Sequence, residues 1–217
     1  MPFKLIIANK AYSSWSLRSW LLLAQFRIPF EEVVIPLDLP TTRKAILRYS
    51  PTGRVPALHD GAVHIWDSLA IAEYAAEKYP DKAIWPKVRA ARAHARSISA
   101  EMHSSFQALR NQCPMSFVRE PKAATLTQDA QDDVARIEAI WKQARKEFGK
   151  GGPFLFGKFC AADAMYAPVV NRLQAYDIKV GKPARDYIAA MNALPAWQAW
   201  AKDGVAEPWR IAKYDSL

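Results

Sequence analysis

Residues 50–80 read SPTGRVPALHDGAVHIWDSLAIAEYAAEKYP, and the punctuation in this stretch decides the fold. Ser50-Pro51 closes the segment before it. Pro56 opens a short apolar run, and a second run, AVHIWD, follows the Asp60-Gly61 pair. Such a pair is a strong hairpin signal, because the turn needs positive φ. Ser68 is an expected N-cap, with Asp67 adding a carboxylate near the helix start. The Ala-, Glu- and Leu-rich segment from residue 68 then runs as a helix until Pro80 stops it. The grammar is strand, strand, helix.

Working back toward residue 1, FKLIIAN (3–9) is a buried-strand pattern and FEEVVIPL (30–37) a second strand. Between them WSLRSWLLLAQF (15–26) places Leu17, Leu21 and Ala24 at helical spacing, and TTRKAILRY (41–49) predicts a short helix. A helical crossover makes the first two strands parallel, whereas the hairpin adds an antiparallel pair. The expected unit over 1–80 is a small β-α-β-α-β-β-α domain with a mixed sheet.

Working forward, residues 81–88 predict a linker, and from 89 onward helical patterns dominate. One long helix is expected over 89–112 and another over 125–148. Further helices begin near Ala161 and Pro183, and a last one spans PAWQAWAKDG (195–204), with proline at its start and glycine at its end. The expected second domain, 89–217, is all helical.

The bulk numbers leave an ordinary globular chain of 217 residues, 51% hydrophobic and 24% charged. No stretch approaches the roughly 18 unbroken apolar residues of a membrane span, and MPFKLIIANK is too short for a secretory signal. Cys113 and Cys160 are far apart, and the four histidines are scattered, so neither a disulfide framework nor a metal site is expected. A reducing, cytoplasmic setting fits. Net charge is +9, with most of the excess after residue 80. Apart from Arg89, Arg92 and Arg96 on one helical face, the basic residues are dispersed without a recognition motif. A solvated face, not a nucleic-acid surface, is the expectation.

Three places carry chemistry. Ser13, Ser14 and Ser16 precede a helix; one can cap it, and a hydroxyl there can also donate to a thiolate held at the helix amino end. No G-x-S-x-G elbow supports a serine hydrolase. The Val55-Pro56 bond has two readings: a proline tolerated at a strand's first residue, or a cis bond that turns the Val55 backbone outward to pair with a peptide. Asp67 and Ser68 can be plain capping residues, or can hold the ammonium and carboxylate of an amino-acid head group. A tripeptide with a γ-glutamyl head and a central cysteine suits all three places together.

At this point the sequence resembles the cytosolic glutathione S-transferases over roughly residues 3–209. SPTGRVPAL (50–58) is similar to that family's N-P-x-G-x-V-P-x-L segment, with Ser50 in place of Asn. WDSLAIAEYAAEKYP (66–80) is similar to its E-S-x-A-I-x-x-Y-L motif, with Asp67 for Glu, and FLFGKFCAADAMYAP (154–168) to its F-L-x-G-x-x-x-[ST]-x-A-D segment. The resemblance implies a thioredoxin-like α/β N-terminal domain, an all-α C-terminal domain, glutathione as co-substrate without a metal, and a homodimer. SSWSLRSW (13–20) resembles the S-S-C-x-x-R stretch of the zeta class, which includes maleylacetoacetate isomerases. Trp15 stands in the cysteine's place, so a broader zeta-like bacterial type is implied.

By position, Ser13 is then the catalytic serine, Ser14 its neighbour and Arg18 the arginine of the first helix; Tyr12 ranks below Ser13 as an activator. Ser13, Ser14, Val55, Pro56, Asp67 and Ser68 would contact glutathione. Arg43 or Lys44 would meet its glycine carboxylate. Met102, Phe106 and Leu109 would line the site of a small-molecule electrophile, or be plain core. Cys160 replaces the helix-capping Ser or Thr, so the capping box with Asp163 should be compromised. The implied activity is attack of a serine-stabilised glutathione thiolate on the electrophile, as in detoxification. The alternatives are maleylacetoacetate-type cis-trans isomerisation and a transferase-like binding protein without chemistry.

Overall fold

The computed structural model describes residues 2–215; the outermost positions of the two expected domains, 1 and 216–217, lie outside it. Four strands form one sheet in the order β2-β1-β3-β4. β1 (Phe3–Ala8) runs parallel to β2 (Phe30–Ile35), antiparallel to β3 (Ala57–Asp60), and β3 antiparallel to β4 (Val63–Trp66). The hairpin turns at Gly61, whose φ is 58°.

β1 is apolar on both faces because helices cover both. Phe3, Leu5 and Ile7 point to the face covered by α1 (Ser14–Gln25) and α3 (Ser68–Lys78). The alternate residue Ile6 points the other way, packing with Ile35 and Ala57 against Ile46 of α2 (Thr42–Leu47). β2 and β4 sit at the edges and are correspondingly more exposed.

After α3 a single 3-10 turn (Pro80–Lys82) leads to α4 (Arg89–Ser104). The helix expected over 89–112 is broken in two. Ser105 is extended, Phe106 has φ 67°, and α5 is only Gln107–Gln112. Other groups satisfy the backbone atoms that the break releases. Arg110 Nε donates to Ser105 O at 2.9 Å, its Nη2 donates to Met102 O, and Leu109 N donates to Asp133 Oδ2 at 2.9 Å. α6 (Gln128–Phe148), α7 (Ala161–Ala175), α8 (Lys182–Asn192), α9 (Pro195–Ala206) and a short α10 (Ala212–Asp215) follow. No described helix is long and apolar enough to cross a membrane.

α7 is the centre of the helical part, buried on nearly every face and packed against α1, α4 and α8. Its start corrects the capping expectation. Asp163 Oδ2 accepts from Cys160 N at 2.8 Å, the Cys160 side chain meets the backbone N–H of Asp163, and the box closes with a thiol in the hydroxyl's place. α9 also runs past the glycine expected to end it. Gly204 is interior and lies against the backbone of Lys10 and Ala11. The glycine serves a close backbone contact inside the helix and not a stop. Below that contact Lys10, 5% exposed, bridges Glu32 (2.8 Å) and Asp203 (2.7 Å), and both Glu207 carboxylate oxygens accept main-chain N–H groups, from Lys10 and Ala11.

Candidate active site

α1 begins where β1 delivers the chain through the tight loop 9–12, and Ser13 is its N-cap, accepting from Ser16 N at 3.4 Å. The Ser13 hydroxyl donates to Ser16 Oγ at 2.8 Å. Ser14 opens the helix, is buried, and lies off the cleft wall. At α3 the cap is Asp67, not Ser68: Asp67 Oδ1 accepts from Leu69 N at 2.8 Å with φ 77°. That leaves Ser68 as the first helical residue, 2% exposed, its hydroxyl 4.0 Å from Met165 Sδ.

A cleft of about 720 Å³ opens between the sheet domain and α4, within the usual small-molecule range of roughly 300–1,000 Å³. Ser13, Val55, Pro56, Asp67 and Ser68 all line it. The Val55-Pro56 bond is cis, and Val55 lies beyond the β1–β3 ladder, which ends at Ile6 and Ala57. Gly53 makes the turn before it, with φ 65°. The conformation favours glycine there, while the Arg43 Nη1 tip, 3.1 Å from where a Cβ would sit, is a flexible side-chain end that can give way.

Arg43 and Lys44 do not line the cleft; Arg54, beside Val55, does. Met102, Phe106 and Leu109 are all at most 5% exposed in the main core and are likewise absent from the cleft wall. Their α4–α5 positions turn inward at the break. The helical domain's contribution to the wall is His103, which sequence reasoning missed along with Trp15 and Arg54. Trp15 was seen only as a departure from a motif. Nothing local marks His103, because only the packing of α4 against α3 brings it to the site.

His103 Nε2 lies 3.2 Å from Asp67 Oδ2, and its ring meets Trp15 edge-on at 5.1 Å. Burial, with Arg18 and Arg110 nearby, pushes the imidazole below its ordinary range against the opposing pull of Asp67. The contact therefore favours a charged imidazole less than burial opposes it. Behind Trp15 the guanidiniums of Arg18 and Arg110 face its ring at 4.3 and 5.2 Å. Arg18 is 1% exposed, and none of its nitrogens has a hydrogen-bond partner among the described residues; burial and the neighbouring arginines lower its pKa. Tyr12 is engaged elsewhere. Its hydroxyl donates to Asp215 at 2.9 Å, and burial together with that carboxylate raises its pKa.

The arrangement offers a hydroxyl at a helix amino end, a backbone beside a cis-proline, and a carboxylate with a serine at a second helix start. The glutathione S-transferase N-terminal domain profile matches residues 12–78, and the C-terminal domain profile residues 117–203. The chain belongs to the glutathione S-transferase family.

Within that family it is 29% identical over 182 residues to a probable maleylacetoacetate isomerase of Caenorhabditis elegans, covering 75% of this chain and 85% of that protein. A 60-residue stretch is 42% identical to dichloromethane dehalogenase of Methylorubrum extorquens, but spans 27% of this chain and 21% of the relative. Among solved structures, a glutathione transferase homologue from Burkholderia with bound glutathione superposes with a TM-score of 0.73. It is 25% identical and covers 95% of this chain and 100% of its own. As a glutathione transferase the protein combines a thioredoxin-like sheet domain with a helical one, and glutathione is the thiol its relatives bind.

Proposed function

We propose that this glutathione transferase activates the glutathione thiol with Ser13 for attack on a small electrophile. The observation that carries the reading is Ser13 itself: the N-cap of α1, on the wall of the same cleft as Val55, Asp67 and Ser68. Ser13 donates a hydrogen bond to the sulfur, and the N–H groups opening α1 add the favourable end of the helix dipole. A thiol pKa lowered by about two units corresponds to about 2.7 kcal/mol of thiolate stabilisation. The Val55 main chain pairs with the cysteinyl part, Asp67 and Ser68 hold the γ-glutamyl head, and Arg54, rather than Arg43 or Lys44, meets the glycine carboxylate. The electrophile lies against Trp15 and His103, where proximity to the thiolate supplies much of the acceleration.

Glutathione-dependent isomerisation of a maleyl compound is a second reading, favoured by the likeness to the nematode relative. A homodimer is part of the same proposal, in keeping with the family. One experiment tests activation and reaction type together. Ser13→Ala should cut turnover of chlorodinitrobenzene, and of maleylacetone if it is a substrate, on the order of tenfold to a hundredfold at neutral pH. Retention on immobilised glutathione should remain. Undiminished turnover of both would remove Ser13 from its role.

A further inference from the structure

Ser16 is fully buried inside α1, where alanine or leucine would serve the helix better. Its hydroxyl oxygen accepts twice: from Ala8 N, at the end of β1, at 3.0 Å, and from the Ser13 hydroxyl at 2.8 Å. The first of these bonds ties Ser16 to the central strand. The second points the Ser13 proton into the protein, away from the cleft that Ser13 lines.

Two neighbouring hydroxyls share one hydrogen bond with one donor at a time; here the donor is Ser13, and exchanging the roles takes a turn of the Ser16 side chain. When it runs from Ser16 to Ser13, the Ser13 proton is released toward the cleft. We propose that Ser16 is a positioning residue: it turns its hydroxyl onto Ser13 Oγ when a thiolate arrives, completing a chain from Ala8 N–H through Ser16 and Ser13 to sulfur. Each serine keeps its own proton throughout; the thiol proton leaves to solvent. The Ala8 N–H polarises Ser16, which polarises Ser13, so every link strengthens the one facing the sulfur. Ser13 Oγ also keeps its acceptor role toward Ser16 N, so the cap and the donor do not compete.

This inference rests on the reading of Ser13 as the thiol activator, and the test separates the two. The pKa of enzyme-bound glutathione is read from the ultraviolet absorbance of the thiolate against pH, in wild type, Ser13→Ala, Ser16→Ala and the double variant. Ser16→Ala retains the main-chain N–H that Ser13 caps but orphans the Ala8 N–H, which weakens folding. The midpoint is therefore read only where circular dichroism shows the variant folded, with the absorbance of free glutathione subtracted, and Ser16→Cys, of similar volume with only a weak S–H donor, is the second variant. Ser16→Ala should raise the midpoint by about 0.5 unit, roughly a threefold loss of thiolate well below it, and Ser16→Cys should raise it in the same direction. The double variant should match Ser13→Ala, because the chain ends at Ser13. An unmoved midpoint in both Ser16 variants, or a Ser16 effect that adds in full to that of Ser13→Ala, overturns the inference. An unmoved midpoint in Ser13→Ala overturns the activation reading instead.

Discussion

Asp163 has no solvent exposure, and its carboxylate accepts from Leu155 N at 3.1 Å and Cys160 N at 2.8 Å. Those donors favour the ionised form, yet burial outweighs them and pushes the carboxyl up to about 6. An unfolded aspartate ionises near 3.9, so between about pH 4 and pH 6 the folded chain holds more proton than the unfolded one. The contribution of Asp163 to stability is thus fully present below about pH 4 and lost as pH rises through about 6, by at most about 3 kcal/mol. Asp163→Asn removes the titration. Urea midpoints of the two proteins across this range should show wild type losing ground to the variant as pH rises; parallel curves would mean that Asp163 stays ionised throughout. Burial pushes the Cys160 thiol of the same box well up, and separately pushes Cys113 up to about 11, which disfavours the thiolate at both.

The elements show which parts of the architecture are written locally. Asp60-Gly61, Ser50-Pro51 and Pro80 punctuate the sheet domain, and period-two and period-3.6 patterns fill the intervals, so β-α-β-α-β-β-α was legible. Ser13, Val55, Pro56, Asp67 and Ser68 were legible for the same reason, since each sits at a helix start or beside a proline turn. The break at Ser105–Phe106 was not. It depends on Arg110 and Asp133 satisfying released backbone groups, and those partners meet only in the folded chain. His103 and Gly204 were hidden in the same way. Gly204→Ala tests the second: a Cβ there comes within 3.1 Å of Ala11 N and of the Lys10 carbonyl carbon. Overpacking against backbone costs about 1–3 kcal/mol, whereas alanine gains about 1 kcal/mol of helix propensity. A net loss of about 1 kcal/mol should appear as a lower Tm; a higher Tm would mean the contact yields.

At the scale of the whole molecule, one hydrophobic core runs through both domains. Phe3, Leu17 and Leu21 belong to the same buried cluster as Trp141, Val169 and Trp200. The halves should therefore unfold together, with tryptophan fluorescence and far-ultraviolet circular dichroism tracing one coincident transition in urea. Two separated transitions would show that each half stands alone. Such cooperation bears on how the protein comes into being. The loop that presents Ser13 is fastened by Asp203, Glu207 and Asp215, some two hundred positions downstream, through Lys10, Ala11 and Tyr12. A ribosome reaches those fasteners roughly two hundred residues after it has made the loop they hold. Until they emerge, the nascent polypeptide lacks the clasp on the loop that presents Ser13, so synthesis cut short within α9 would yield a chain with that loop unsecured.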